Sequence, residues 1–282
     1  MKNWKTIALV LITIFIFWFL KFYLRFPVAE AGIVSTILTI ASILFGFLAG
    51  FFISELWSRY AEIRTLQGER CSSGLNMIKC AEYFFGNKVF EERFKKLVEK
   101  SSLVDEIAEW TEGHLEIPYF RAIGDSFESI EVKNQKDQVY FDNLLSSYHK
   151  FVECTVKLDT LGKERLFPSE WFVIILLFLT ICMSILFLDV SRFFSRVIVF
   201  VFPVIIVMAL SIIYNLNTLL WSKEIVSLEP NQHLFDAIGV KRFYLKKKKK
   251  FIYRHIKDYR TEDDLKEDLK QVYLDIIESR KS

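Results

Sequence analysis

The sequence predicts an all-α, polytopic membrane protein with four transmembrane helices and a cytoplasmic helical bundle. Three observations carry that expectation. Hydrophobic residues make up 52% of the 282 residues and yet 25% are charged, so the two kinds must be segregated along the chain. Four runs contain no charge at all: Thr6–Leu20, Ala31–Ser54, Trp171–Leu188 and Val197–Ser222. The remaining stretches hold few Gly or Pro and no clean period-two alternation, which favours helices over a sheet.

In hydrocarbon, backbone polar groups must pair within their own segment, so each run is expected to be a helix. The second, third and fourth runs contain 24, 18 and 26 residues, close to the roughly 20 needed to cross a bilayer. The first has 15 residues, and Lys5, Lys21 and Arg25 at its ends can snorkel to the interface. The stretch "MKNWK" precedes this run and "KFYLRF" follows it without a small-residue cleavage site. That pattern reads as an uncleaved anchor rather than a signal peptide. Residues 1–57 are therefore expected to hold helices 1 and 2, and residues 170–222 helices 3 and 4.

Charge then orients the spans. One side carries Lys2, Lys5, Arg59, Arg64, Arg70, Lys157, Lys163, Arg165 and Lys223 near span ends, against Lys21, Arg25, Arg192 and Arg196 on the other. By the positive-inside rule both termini and residues 58–169 face the cytoplasm, with the spans in the inner (plasma) membrane. Within 58–169 the apolar residues recur at helical spacing. Examples are Phe90, Phe94, Leu97 and Val98, and later Leu144, Leu145, Tyr148, Phe151 and Val152. A helical bundle is the simplest way to bury them.

The tail, 223–282, has three parts. "LEPNQHLFDAIG" reads as a short helix closed by Gly239. From Gly239 to Arg260, ten of 22 residues are Lys or Arg, including Lys246, Lys247, Lys248, Lys249 and Lys250, and only Asp258 opposes them. Tethered after the fourth span on the cytoplasmic face, this run is expected to lie against anionic lipid headgroups, where each basic residue contributes about 1 kcal/mol. No recognisable nucleic-acid fold accompanies the charge, which sets nucleic acid aside as the partner. The last part opens with a capping-box-like Thr261 and Asp264, and aligns Leu265, Leu269, Val272, Tyr273, Ile276 and Ile277 on one face. That face must pack on the bundle, on a neighbouring subunit or on a cytoplasmic protein partner.

Nothing in the chain points to catalysis. No phosphate-binding loop, dinucleotide fingerprint, zinc-protease motif or nucleophile elbow occurs. Cys71, Cys80, Cys154 and Cys182 have no paired spacing, and the four His residues are scattered. Neither metal, cofactor nor catalytic residue is expected, and the protein reads as a non-enzyme.

The informative segment is "SILFGFLAGFFISELWSRY". Ser42, Gly46, Gly50 and Ser54 recur every four residues, with Phe45 and Phe52 flanking on one side and Phe47 and Phe51 on the other. Small residues at this spacing let helices approach closely. Alternatively, the stripe lines a pore between subunits, gated where Phe rings exclude water. No charge occupies the middle of any run, which argues against a proton relay or ion-coupled transporter. Tyr214, Asn215 and Asn217 form the strong polar cluster at depth, and read as a cross-link between helices.

The layout resembles a known family. Two N-terminal spans lead into "ISELWSRYAEIRTLQGE", followed by a helical insert, two further spans and "LEPNQHLFDAI". This is similar to a bacterial four-span family likened to the bestrophin anion channels. The likeness runs from about Ile33 to Gly239 and is carried by Trp57, Arg59, Tyr60, Arg64 and Glu69, then by Leu228, Glu229, Pro230 and Phe235. It implies a homo-oligomeric anion channel whose second span lines the pore. The alternative from the residues themselves is a non-conducting membrane scaffold or effector that recruits a partner through its helical region and tail.

Overall fold

A computed structural model of the chain describes residues 12, 15–16, 19–23, 31–83, 88–107, 118–187, 193–218, 229–244, 259–261 and 264–265. Seven α-helices account for most of them: α1 (Ala31–Tyr83), α2 (Lys88–Ile107), α3 (Pro118–Asp125), α4 (Gln135–Lys163), α5 (Pro168–Phe187), α6 (Phe193–Asn217) and α7 (Glu229–Ala237). A 3₁₀ turn, Ser126–Ser129, follows α3, and a π-helical turn covers Phe19–Tyr23. The described residues contain no strand, only an isolated parallel bridge between Phe243 and Arg260. The protein is nearly all helical.

Local chemistry explains where the helices begin and end. Asn134 caps α4 by accepting from the Asp137 amide at 2.9 Å, while the Asp137 carboxylate accepts from the Lys133 amide at 3.2 Å. Helix α5 opens with Pro168, whose fixed φ suits a first turn, and Glu170 reaches back to the Phe167 amide at 2.7 Å. Helix α7 closes at Gly239, which adopts φ +76°, while the Val240 amide donates to the Phe235 carbonyl at 3.0 Å. That left-handed closure is where glycine is favoured.

The chain divides into two compact units. One comprises residues 1–58 and 165–218, the other residues 59–164 and 219–282. Among the described residues three helices are long and apolar enough to cross a membrane: α1, α5 and α6. Four were expected. Thr6–Leu20, the run expected to form the first, lies mostly outside the described residues, and in its surroundings Phe19 stacks on Phe15 and Tyr23 at 6.4 and 4.8 Å. In the same unit α5 packs on α6, and buried Ile174, Ile181 and Ile185 of α5 and Val199, Ile206 and Ile213 of α6 recur at helical spacing. Helix α6 keeps Pro203 within it and ends at Asn217, with Thr218 turning onto the Tyr214 carbonyl at 3.0 Å.

The other unit has an apolar core of its own. Met77, Ile78 and Ala81 of α1 meet Phe90, Phe94 and Val98 of α2, Ile123 of α3, Leu144 and Phe151 of α4, and Leu234 of α7. Two glycines permit close approach within it. A Cβ on Gly74 would meet Leu234 Cδ2 at 2.8 Å, and one on Gly124 would meet the Tyr148 hydroxyl at 2.6 Å. A smaller cluster gathers Leu103, Phe235, Phe243 and Leu265, which brings the tail into this unit.

Candidate functional site

Helix α1 presents two different faces in the span-forming unit. Val34, Ala41, Phe45, Ala49, Phe52 and Leu56 are buried, at intervals of three, four or seven, as expected for the inward face of a helix. Phe45 and Phe52 are only 6% and 5% exposed. On the opposite side Phe47 and Phe51 are 74% and 62% exposed, together with Ile40, Ile43 and Leu44. The Phe rings flanking the small residues therefore differ: one pair is packed inside the protomer and the other is open.

The stripe itself winds. Each four-residue step on a 3.6-residue helix advances about 40°, so Ser42 and Ser54 are separated by about 120° around the axis. Ser42 is half-buried at the edge of the inward face, whereas Gly46, Gly50 and Ser54 are exposed. A Cβ built on Gly46 or Gly50 meets nothing within 4 Å. Among the described residues, nothing packs closely on these two glycines.

The motif after the stripe is divided by exposure. Trp57 is exposed, while Arg59 is buried and its Nη1 donates to the Glu164 carbonyl at 2.6 Å. Tyr60 is half-buried, and burial pushes its phenol above the usual tyrosine range while Arg64 pulls it down. Glu69 pairs with Lys150 at 3.5 Å. Among the polar residues of α6, Asn217 is buried and its Oδ1 accepts from the Leu166 amide at 2.8 Å, which ties the end of α6 to the entry of α5. Asn215 donates to the Ser211 hydroxyl at 3.5 Å, and Tyr214 is exposed.

Glu229 and Pro230 form the first turn of α7. Two further residues of that motif, Gln232 and Asp236, were not singled out in the sequence. Gln232, fully buried, clasps Phe243 from both sides: its Nε2 donates to the Phe243 carbonyl at 2.9 Å and its Oε1 accepts from the Phe243 amide at 3.0 Å. Asp236 holds Arg242 through both carboxylate oxygens, at 2.7 and 3.1 Å, and raises the guanidinium pKa further. Lys246, Lys247, Lys248, Lys249 and Lys250 lie outside the described residues, as does most of the amphipathic segment beyond Asp264. Asp264 accepts from the amide and hydroxyl of Thr261, at 2.7 and 3.0 Å. Among the described residues no group of three or more His, Cys, Asp or Glu is placed to hold a metal ion.

Known structures share this architecture. A crystal structure of a bacterial bestrophin homologue from Klebsiella pneumoniae carrying a point mutation matches with a TM-score of 0.60 at 11% identity, covering 83% of this chain and 99% of the other. A second structure of a bestrophin homologue from the same organism also gives 0.60 at 11%, covering 84% and 98%. A further membrane-protein crystal structure gives 0.61 at 13%, covering 83% and 99%. At these identities the likeness is one of fold. No curated protein matches the chain by sequence. The family model for the bestrophin-like domain matches residues 7–219. That stretch contains Trp57, Arg59 and Tyr60 and stops short of Glu229 and Pro230. With three-quarters of its length matched, the chain belongs to the bestrophin-like family of membrane proteins.

Proposed function

We propose that the protein is a homo-oligomeric ion channel of the inner membrane, selective for anions, with four spans per protomer and a pore between subunits. The observation that carries this reading is the open face of α1. Among the described residues Gly46 and Gly50 have no neighbour within 4 Å of a built Cβ, and Phe47 and Phe51 stand exposed beside them. Large exposed rings on an apolar helix require lipid, another subunit or a pore lumen. Family membership favours the last two, and exposed Phe rings facing a lumen would gate by excluding water. In this reading Phe47 and Phe51 carry the constriction, and Phe45 and Phe52 hold α1 to its own protomer. The basic run, on the cytoplasmic side, contacts anionic headgroups and anchors the tail near the bilayer.

Purified protein in liposomes tests the proposal. A reproducible anion flux, abolished or strongly altered in Phe47→Ala or Phe51→Ala, is expected. A clean monomer in mild detergent with no flux would instead favour a non-conducting scaffold.

A further inference from the structure

Val240–Tyr244 and Tyr259–Thr261 lie side by side, although 14 residues separate Tyr244 from Tyr259. The Arg260 amide donates to the Arg242 carbonyl at 2.7 Å, and the Tyr244 amide donates to the Arg260 carbonyl at 3.1 Å. The rings of Tyr244 and Tyr259 meet edge to face at 5.6 Å. The first segment is fixed by the buried Gln232 clasp on Phe243. Beyond those backbone bonds and the tyrosine contact, the second is tied to the helices by one side chain. Arg260 Nη1 donates to Glu99 Oε1 at 2.6 Å, Nε donates to the Lys241 carbonyl at 2.9 Å, and the guanidinium lies over the Phe235 ring at 5.6 Å. One guanidinium thus joins α2, α7 and the tail.

The physics makes this contact decisive. Closing a loop costs entropy that grows only slowly with its length, so a few strong bonds hold it shut. A charge-assisted pair is about twice as strong as a neutral hydrogen bond. Glu99 and Arg260 are 22% and 17% exposed, so water weakens the pair only in part. The neighbouring Arg242–Asp236 pair lies wholly on the α7 side.

We propose that Arg260 fastens a strap: it locks the returning tail onto α2 and α7 through Glu99, and the tail detaches as a unit when that ion pair breaks. Opening the strap uncovers the Leu103, Phe235 and Phe243 cluster that it covers, which makes attachment a two-state event. This goes beyond the conduction reading and does not depend on it.

The test uses the full chain in mild detergent, with an affinity tag at the N-terminus and an epitope at the C-terminus. A specific protease site is inserted between Lys248 and Lys249. After cleavage the C-terminal piece is expected to stay bound and co-elute. Glu99→Arg or Arg260→Glu alone should release it about tenfold faster or more, as expected when a charged hydrogen bond is broken. The exchanged pair, Glu99→Arg with Arg260→Glu, should recover retention, a result that general unfolding cannot produce. Prompt release from the native chain, retention in both single variants, or no recovery in the exchanged pair would each overturn the strap.

Discussion

Cys71 shows how burial alone sets the chemistry of a side chain. It sits on α1 in the core shared with Phe94 and Phe151, and burial pushes its thiol up to about 11 even though Arg70 beside it pulls the other way. The sign is simple: a raised pKa means less thiolate at any given pH below it. At pH 8 about one thiol in a thousand is ionised. Cys80 is also raised by burial but is only half-buried. Alkylation at pH 8, followed residue by residue by mass spectrometry, should modify Cys80 well before Cys71. The Cys71 rate should rise about tenfold per pH unit until the fold gives way. Equal rates at the two positions would show that the α1 core opens readily. At this scale little was legible beforehand. Gln232 lies inside a quoted motif, yet its partner, Phe243, is 11 residues on. Glu99 and Arg260 are 161 residues apart. Side-chain pairs brought together by tertiary packing leave no periodic trace in one sequence, and an interior glycine such as Gly74 does not announce that Leu234 packs on it.

Elements were far more legible, because their causes are local. The second, third and fourth charge-free runs, and Gly239 at φ +76°, mark helices and a boundary with their own chemistry. The four-residue stripe on α1 was harder to read, because spacing identifies neighbours along a helix but not which way they face. Only burial separates Phe45 and Phe52 from Phe47 and Phe51. That separation sharpens a test. Since no described residue lies within 4 Å of a Cβ built on Gly46 or Gly50, Gly46→Leu or Gly50→Leu should leave protomer stability unchanged or raise it, by up to about 1 kcal/mol from helix propensity. Their effect should appear instead in assembly or flux, read by light scattering on the purified complex and by the liposome assay. Loss of the oligomer would identify a close-packed seam between subunits. An intact oligomer with lost flux would identify a pore lining. Normal behaviour in both assays would remove the stripe from either role.

At the scale of the whole molecule, the length of α1 constrains topology. Its 53 residues make a helix of about 80 Å, against a hydrocarbon core of about 30 Å. One continuous helix must therefore leave the bilayer, and charge says where: no ionisable residue occurs from Ala31 to Ser54, then Glu55, Arg59, Glu62 and Arg64 follow. The emerging half carries Arg59, Arg64 and Arg70, so the positive-inside rule predicts a cytoplasmic position for it. With the four spans proposed, both termini would share that side, and the basic run after α6 would lie there too. Cysteine labelling in intact cells, in a background without native cysteines, checks the arrangement. Lys133 suits the cytoplasmic probe because its side chain is 72% exposed on the approach to α4. Ser191 suits the external one, in the connection between α5 and α6. An impermeant thiol reagent should modify Ser191→Cys directly, and Lys133→Cys and Lys248→Cys only after the membrane is permeabilised. Labelling of Lys133→Cys without Ser191→Cys would invert the protein. Labelling of Lys248→Cys from outside, with Lys133→Cys protected, would mean an odd number of spans between them and would remove the basic run from the cytoplasmic leaflet.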